Sequence, residues 1–574
     1  MTMRYRVLRL FMAMFALVVI VLAVGLMVIS KDGGHIVAAS DHVIELDLNA
    51  ATEPVSPRLS GVNVTVWDGG LARAARVDQL AAAGMRTLRY PGGSMSDAYH
   101  WADNQVEGRS HHEPSPTTVF ANLNEALDGT AYVTVNYGSG TAEEAAAWVA
   151  WANGATDSQQ PIGVDVRGTD WKTVGDWARL RAAAPLAADD GRNFLRAGHP
   201  EPYRWRYFEV GNEIYGSWAH DRHGQAGSGL PGQALHPRSY ARNAARFIER
   251  MKAVDSEIQV GVISYHGEPY DKRDADDRCL AVCDSAAAVA DADGRAREGW
   301  NPIVLHTLSE LGRRPDFLVM HVYPQLPGRE DDAYLLSSAP RLKAHAAELR
   351  RQIADWWQGP QSERIEIALT EYNSVTGGPG KQSVSIVNAL FYADSFGQLM
   401  SSEVDAAHWW LLTASIDIGG HNPSRLHGTR GYGSYAWLSD GATVKGRAAP
   451  PVDAPFPTYQ VARQLAEFHA TGVQLLSVQT NVPDLSVYAT RDVGGTVRLL
   501  VINKSAFQQR MPEIRVTGGG GGAYSLSVSH YGLAQEASGQ GALSRDEGTR
   551  GERFEFAFEP YSVNLLRLRR TSAN

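Results

Sequence analysis

Short apolar runs recur through most of the chain, each followed by a stretch with helical spacing. Arg58–Val66, Arg86–Tyr90, Ala131–Asn136, Tyr207–Val210, Ile258–Ile263, Phe317–Val322, Ile365–Thr370 and Ala406–Leu412 predict eight strands. Leu71–Ala83, Thr117–Leu127, Ala142–Trp151, Ser239–Val254, Ile303–Leu311, Arg341–Trp357 and Val384–Met400 predict the helices between them. The strand runs are nearly continuous in apolar residues, the pattern of strands covered on both faces. Eight such units predict an α/β fold, a closed (β/α)8 TIM barrel over 58–456. An open doubly wound sheet is the competing arrangement, but no Gly-x-Gly-x-x-Gly follows the first strand. The connections Trp151–Arg206 and Tyr265–Asn301 are long and are expected to wall one mouth of the barrel.

The pattern changes near Pro457. Ser486–Tyr488, Val497–Asn503, Glu513–Val516, Tyr524–Ser529, Phe554–Phe558 and Val563–Leu568 alternate without intervening helices, which predicts a C-terminal antiparallel β-sandwich over 457–574. The early strand Val43–Leu48, within 41–57, has no barrel role and is expected to join it. Residues 1–40 read as an anchor and linker. Leu10–Ile29 is an uncharged run of 20 residues preceded by Arg4, Arg6 and Arg9, long enough for an N-terminal membrane-spanning segment. The expectation is a membrane-anchored protein whose body lies outside the cytoplasm, with the membrane as a partner. A signal cut near Ala38-Ala39-Ser40 would instead give a secreted protein.

Composition narrows the function. The chain has 574 residues, 44% hydrophobic and 20% charged, with a net charge of −9. That excludes a disordered or collagen-like chain and argues against nucleic acid, which needs a positive field. Cys279 and Cys283 are the two cysteines, and their CLAVC spacing is compatible with a local disulfide in an exported protein. No His/Cys/Asp cluster has metal-ligand spacing, so neither a metal nor another cofactor is expected. The nearby Asp271, Asp274, Asp276 and Asp277 fit no calcium loop.

Functional groups on such a barrel sit at the C-terminal ends of its strands. Strand four runs out into Gly211-Asn212-Glu213 and strand seven into Thr370-Glu371-Tyr372. Both carboxylates are thereby directed into one mouth. Two facing carboxylates, one protonated to assist the leaving oxygen and one ionised to attack carbon or activate water, are what glycoside hydrolysis requires.

These residues resemble the clan A retaining glycoside hydrolases. Leu88-Arg89-Tyr90-Pro91-Gly92-Gly93 with Tyr99-His100-Trp101 is similar to the second-strand motif of family 51, the α-L-arabinofuranosidase family. Val133–Gly138 with Gly140–Ala145 resembles its third-strand segment. The resemblance implies Glu213 as general acid/base and Glu371 as nucleophile. It implies Asn212 on a sugar hydroxyl, Arg89 beside the nucleophile, and His321 and Tyr323 near it after strand six. Trp101 joins the substrate-binding set through the same motif. Of the adjacent pair Trp409 and Trp410, alternation lets one face the site, and Trp409 is assigned to it. The sequence departs from the family at Ser94, at Tyr372 after Glu371, and after strand one, where an acidic residue is usual and Asp68 is the nearest candidate.

The function implied is a retaining O-glycosyl hydrolase, α-L-arabinofuranosidase-like, acting on a polysaccharide or oligosaccharide by double displacement. Alternatives are an endo-acting glucanase or xylanase type of the same clan, a non-catalytic carbohydrate-binding protein, or a transglycosylase.

Overall fold

The computed structural model describes residues 42–109, 114–266, 272–273, 279–281, 288–469 and 472–571. Strand β1, Val43–Pro54, precedes eight barrel strands. These are β2 (Gly61–Asn63), β3 (Thr87–Tyr90), β4 (Thr130–Val135) and β5 (Tyr207–Val210), followed by β6 (Gln259–Ile263), β7 (Phe317–Val322), β8 (Glu366–Tyr372) and β9 (Ala406–Trp409). Every neighbouring pair is parallel, and β9 returns to β2, so the eight-stranded barrel read from the apolar runs is present and closed. The helices Ala75–Ala82, Thr117–Ala126, Ala142–Asn153, Pro237–Val254, Trp300–Glu310, Pro340–Ala354 and Ile386–Leu399 connect successive strands. After β9 the helix Pro457–Leu465 packs on Ile386–Leu399.

Side chains fill the barrel in layers. At the end away from the mouth, Tyr132 and Tyr207 stack at 4.4 Å, with Phe317 and His408 edge-on to Tyr132. Gly261 is needed there, since a Cβ would come within 2.1 Å of the Phe317 ring. Arg58 closes this end with a two-pronged ion pair to Glu366 at 2.6 and 3.0 Å. With the floor sealed, chemistry is confined to the opposite mouth.

A second sheet has nine strands: β1, then β10 (Gln474–Thr480), β11 (Leu485–Arg491), β12 (Val497–Asn503), β13 (Glu513–Thr517), β14 (Tyr524–Tyr531), β15 (Leu543–Arg550), β16 (Arg553–Glu555) and β17 (Ser562–Arg570). Their order is β15-β14-β17-β12-β11-β10-β1-β13-β16. All pairs are antiparallel except β1 with β13, so the sheet is mixed where a purely antiparallel one was expected. The cause is chain order: β1 arrives from before the barrel and pairs with no hairpin constraint on its direction. Ile44, Leu46, Leu499, Val501, Phe558 and Leu566 share its core. Tyr488 lies against Gly397 of the barrel and donates to Asp394 at 2.6 Å, and Lys504 pairs with the same carboxylate at 3.0 Å.

The membrane-spanning segment is corrected. Among the described residues no helix is long and apolar enough to cross a membrane. A bilayer core of about 30 Å asks for roughly 20 mostly apolar residues. The longest helix among the described residues, Pro237–Val254, has 18 and carries Arg238, Arg242, Arg246, Glu249, Arg250 and Lys252. The membrane as partner and the membrane-anchored placement are withdrawn with that segment. Leu10–Ile29, which carried the expectation, lies outside the described residues, as do Cys283 and the disulfide question it raised.

Candidate active site

The mouth of the barrel is organised around Arg89, a fully buried side chain near the end of β3. Its Nε donates to Glu209 on β5. Its Nη1 donates to Asn63 Oδ1 at 2.9 Å and to Glu371 Oε1 at 2.7 Å, and its Nη2 to Asn212 Oδ1 at 2.7 Å. One planar guanidinium thus fixes groups from β2, the loop after β5, and β8, a task suited to its rigid fork of donors. Burial opposes the charge on Arg89, but the Glu209 and Glu371 carboxylates outweigh it and raise its pKa further.

Glu371 lies on β8 and is nearly buried. Besides Arg89 it accepts from the Tyr323 hydroxyl at 2.7 Å, through Oε2. Glu213 lies just past β5, in a turn with Gly211 at φ 80° and Glu213 itself at φ 51°. A Cβ at Gly211 would approach the Tyr137 Cβ to 2.8 Å, so this turn requires glycine on both counts. The left-handed geometry of Glu213 costs about 1–3 kcal/mol and is held by the surroundings. Chief among these is Asp97, fully buried. Its Oδ2 accepts from the Asn212 amide at 2.8 Å, and its Oδ1 from the amides of Tyr137 and Gly138 at 3.2 and 3.1 Å.

The Glu213 carboxylate takes three donors. Tyr215 and His321 Nδ1 meet Oε1 at 3.1 and 3.0 Å, and the Trp218 indole meets Oε2 at 2.8 Å. His321, at the end of β7, is 3.7 Å from Glu371 Oε2 through the same Nδ1, and its Nε2 faces Thr370 Oγ1 at 3.0 Å. Burial works against a charged imidazole, but the carboxylates of Glu371 and Glu213 raise its pKa. For Glu213 burial pushes upward, while His321 with Trp218 and Tyr215 outweighs it and holds the carboxyl below its ordinary range.

One ligand atom each from Glu213, His321 and Glu371 lies within 4.8 Å of the other two. Among the described residues this is the group close enough to hold a cation. Its oxygens are already met by Arg89, Tyr323, Trp218 and Tyr215, which leaves few lone pairs for an ion. The arrangement suits proton transfer and nucleophilic attack between two carboxylates in different surroundings.

Glu213, Glu371, Asn212, Arg89, His321 and Tyr323 therefore converge. Two tryptophans do not. Trp101 is buried, stacked on Trp148 at 5.4 Å, and donates to the Glu144 carbonyl. Trp409 points out of the barrel onto Tyr372, Phe391 and Tyr392, while Trp410 turns to the mouth against Trp67. Sequence reasoning missed Asn63, Glu209, Asp97, Tyr215 and Trp218. The signal for Asn63 and Glu209 was present: each is a polar side chain inside an otherwise apolar barrel strand. Asp97 sits in a short 3-10 turn with no such contrast.

No protein-family model matches the chain. α-L-Arabinofuranosidase C of Emericella nidulans is 26% identical over 186 residues, 30% of this chain and 28% of that protein. The intracellular exo-α-L-arabinofuranosidase of Bacteroides ovatus is 38% identical over 142 residues, 22% of each chain. The matched stretch thus spans less than a third of either relative. The thermostable family 51 α-L-arabinofuranosidase of Thermotoga petrophila has the same fold, with a TM-score of 0.64 at 18% identity over 92% of this chain and all of that one. In sequence and in fold the chain is similar to the clan A retaining glycosidases of the family 51 type.

Proposed function

We propose that the protein is a retaining glycoside hydrolase, α-L-arabinofuranosidase-like, with Glu371 as nucleophile and Glu213 as general acid/base. The observation that carries this is the pair of carboxylates on β8 and after β5. Their oxygens approach within 4.8 Å, and each has a different set of partners. Such proximity fits direct attack on the anomeric carbon; an inverting site holds its carboxyls about 6.5–9.5 Å apart to admit a water. Arg89 and Tyr323 steady the attacking carboxylate. Glu371 forms a bond to the anomeric carbon as the glycosidic C–O bond breaks, and the leaving oxygen takes a proton from Glu213. Water then returns that proton to Glu213 while its oxygen displaces Glu371. His321, 3.0 Å from Glu213 and drawn toward its charged form by both carboxylates, can supply Glu213 with the proton that the leaving oxygen takes. Asn212, held by Arg89, is the group offered to a sugar hydroxyl.

The test uses 4-nitrophenyl α-L-arabinofuranoside together with arabino-, xylo- and cello-oligosaccharides. Hydrolysis with retained anomeric configuration is expected by NMR. Glu371→Gly and Glu213→Ala should each lose at least about 10²-fold. Azide should then give a glycosyl azide of inverted configuration with the first variant and of retained configuration with the second. Inverted hydrolysis products from the unmutated protein would sink the mechanism.

A further inference from the structure

The mouth holds a third carboxylate that the chemistry above does not use. Glu209 lies on β5 and is fully buried inside the barrel. Its Oε1 accepts from Arg89 Nε and from the Thr134 hydroxyl on β4, while its Oε2, also buried, meets no donor among the described residues. A buried carboxylate with so few donors depends on a cation for its charge, and that cation is Arg89.

Arg89 is shared. Its Nε turns to Glu209, and its Nη1 reaches Glu371 Oε1 at 2.7 Å. One guanidinium charge is divided between carboxylates from β5 and β8, which lie three strands apart in the closed barrel. Burial works against that charge, and of the two carboxylates that offset the burial Glu209 is the stronger. The division matters for a nucleophile. A carboxylate that takes the whole of a cation's charge is less basic, and attacking power falls with basicity. With part of the Arg89 charge drawn to Glu209, Glu371 stays paired and oriented yet keeps its electrons available.

We infer that Glu209 is a positioning residue that acts through Arg89, competing with Glu371 for the guanidinium and so setting how reactive the nucleophile is. This rests on the glycosidase reading with Glu371 as nucleophile. Other groups share the same field. Glu371 also faces His321 and Tyr323 from β7 and Glu213 from beyond β5. Tyr435 lies edge-on to Tyr323 at 6.3 Å, and Tyr215 and Tyr240 stand near Glu371 and Glu209. Burial raises the pKa of all four tyrosines, so these hydroxyls stay neutral. His408 on β9 is neutral as well, its pKa lowered by burial and by the charges of Arg89 and Arg58. Glu209 is therefore the group whose charge can be removed from Arg89 without touching the reacting pair.

Glu209→Gln keeps the size of the side chain and an oxygen for Arg89 Nε, and removes the charge. The guanidinium charge then falls on Glu371. The acidic limb of kcat/KM should move to lower pH by about one unit, and the plateau should fall by about tenfold, because attack is the step that kcat/KM reads. A prop for Arg89 and nothing more predicts the opposite sign: its loss would loosen the contact of Arg89 with Glu371 and move the acidic limb up. Glu209→Asp keeps a charge but draws it back from Nε, so it should shift the limb downward by less, and it gives the answer if the glutamine variant does not fold. Profiles are taken on the full chain with 4-nitrophenyl α-L-arabinofuranoside or the oligosaccharide it cleaves fastest. An unmoved or raised acidic limb, in a protein that does hydrolyse, overturns the role given to Glu209 and leaves the mechanism standing. No turnover by the unmutated protein overturns the mechanism and this inference with it.

Discussion

His321 Nδ1 lies 3.0 Å from Glu213 Oε1, so the imidazole and the carboxyl share one proton. The two carboxylates beside it raise the His321 pKa against the effect of burial, while Glu213 is held low. The pair keeps its proton below the raised imidazole value and loses it as pH climbs through that value. The alkaline limb of kcat/KM should therefore lie above the ordinary imidazole range. With His321→Phe, Glu213 loses its strongest lowering partner and keeps Trp218 and Tyr215, so its pKa rises and the carboxyl alone holds the proton. The expected result is an alkaline limb moved to lower pH, read from pH–rate profiles. An unmoved limb would mean that another group holds the proton.

Tyr323 donates to Glu371 Oε2 at 2.7 Å, the one hydrogen bond of its hydroxyl among the described residues. Tyr323→Phe removes one hydrogen bond to a charged group and keeps the ring against Tyr435. Such bonds contribute about 1.5–3 kcal/mol, or roughly a 10- to 150-fold change. We expect kcat to fall by about that factor with little change in melting temperature, measured by steady-state kinetics and calorimetry. A fall in melting temperature with unchanged kcat would make the hydroxyl structural.

Arg89→Lys tests the guanidinium that ties Asn63, Glu209, Asn212 and Glu371 together. An ammonium keeps the charge but reaches only one or two of these four groups, so at least two of them lose their donor. Each buried polar group left unsatisfied costs about 1–3 kcal/mol, and denaturant unfolding should show a loss of that order. Activity should fall too, because Glu371 and Asn212 lose the same anchor.

The barrel was legible because its strands are buried on both faces and so appear as unbroken apolar runs, even one as short as Tyr207–Val210. The two carboxylates were legible because a closed barrel brings strand ends together whatever their separation along the chain. Trp409 was misread because alternation alone does not say which of two neighbours faces inward; pairing of Trp409 with Tyr372 on β8 sends it to the helices. The edge strand Leu543–Arg550 was invisible because it is largely exposed and polar, LSRDEGTR, with no apolar face to alternate. Trp218 carried no signal at all, since its link to Glu213 depends on how the turn after β5 closes.

That closure depends on Asp97, which accepts three backbone amides from two separate loops. An asparagine keeps one acceptor oxygen and presents an amino group in place of the other. If its oxygen stays with Tyr137 and Gly138, a donor faces the Asn212 amide, and the turn that carries Glu213 loses its hold. If it rotates, the loop after β4 loses two bonds instead. Asp97→Asn should therefore cost about 1–3 kcal/mol per unsatisfied group. In a domain of roughly 400 residues that appears as a fall in melting temperature of only about 1 °C per kcal/mol. A left-handed Glu213 released from its anchor relaxes toward ordinary backbone geometry and carries its carboxylate away from His321. The loss in kcat should then exceed what the loss in stability alone would produce at a temperature where the variant is fully folded. Kinetics at 25 °C, beside a melting curve on the same preparation, separates the two, and a variant that is less stable but fully active would show that Asp97 holds the loops without setting the carboxylate.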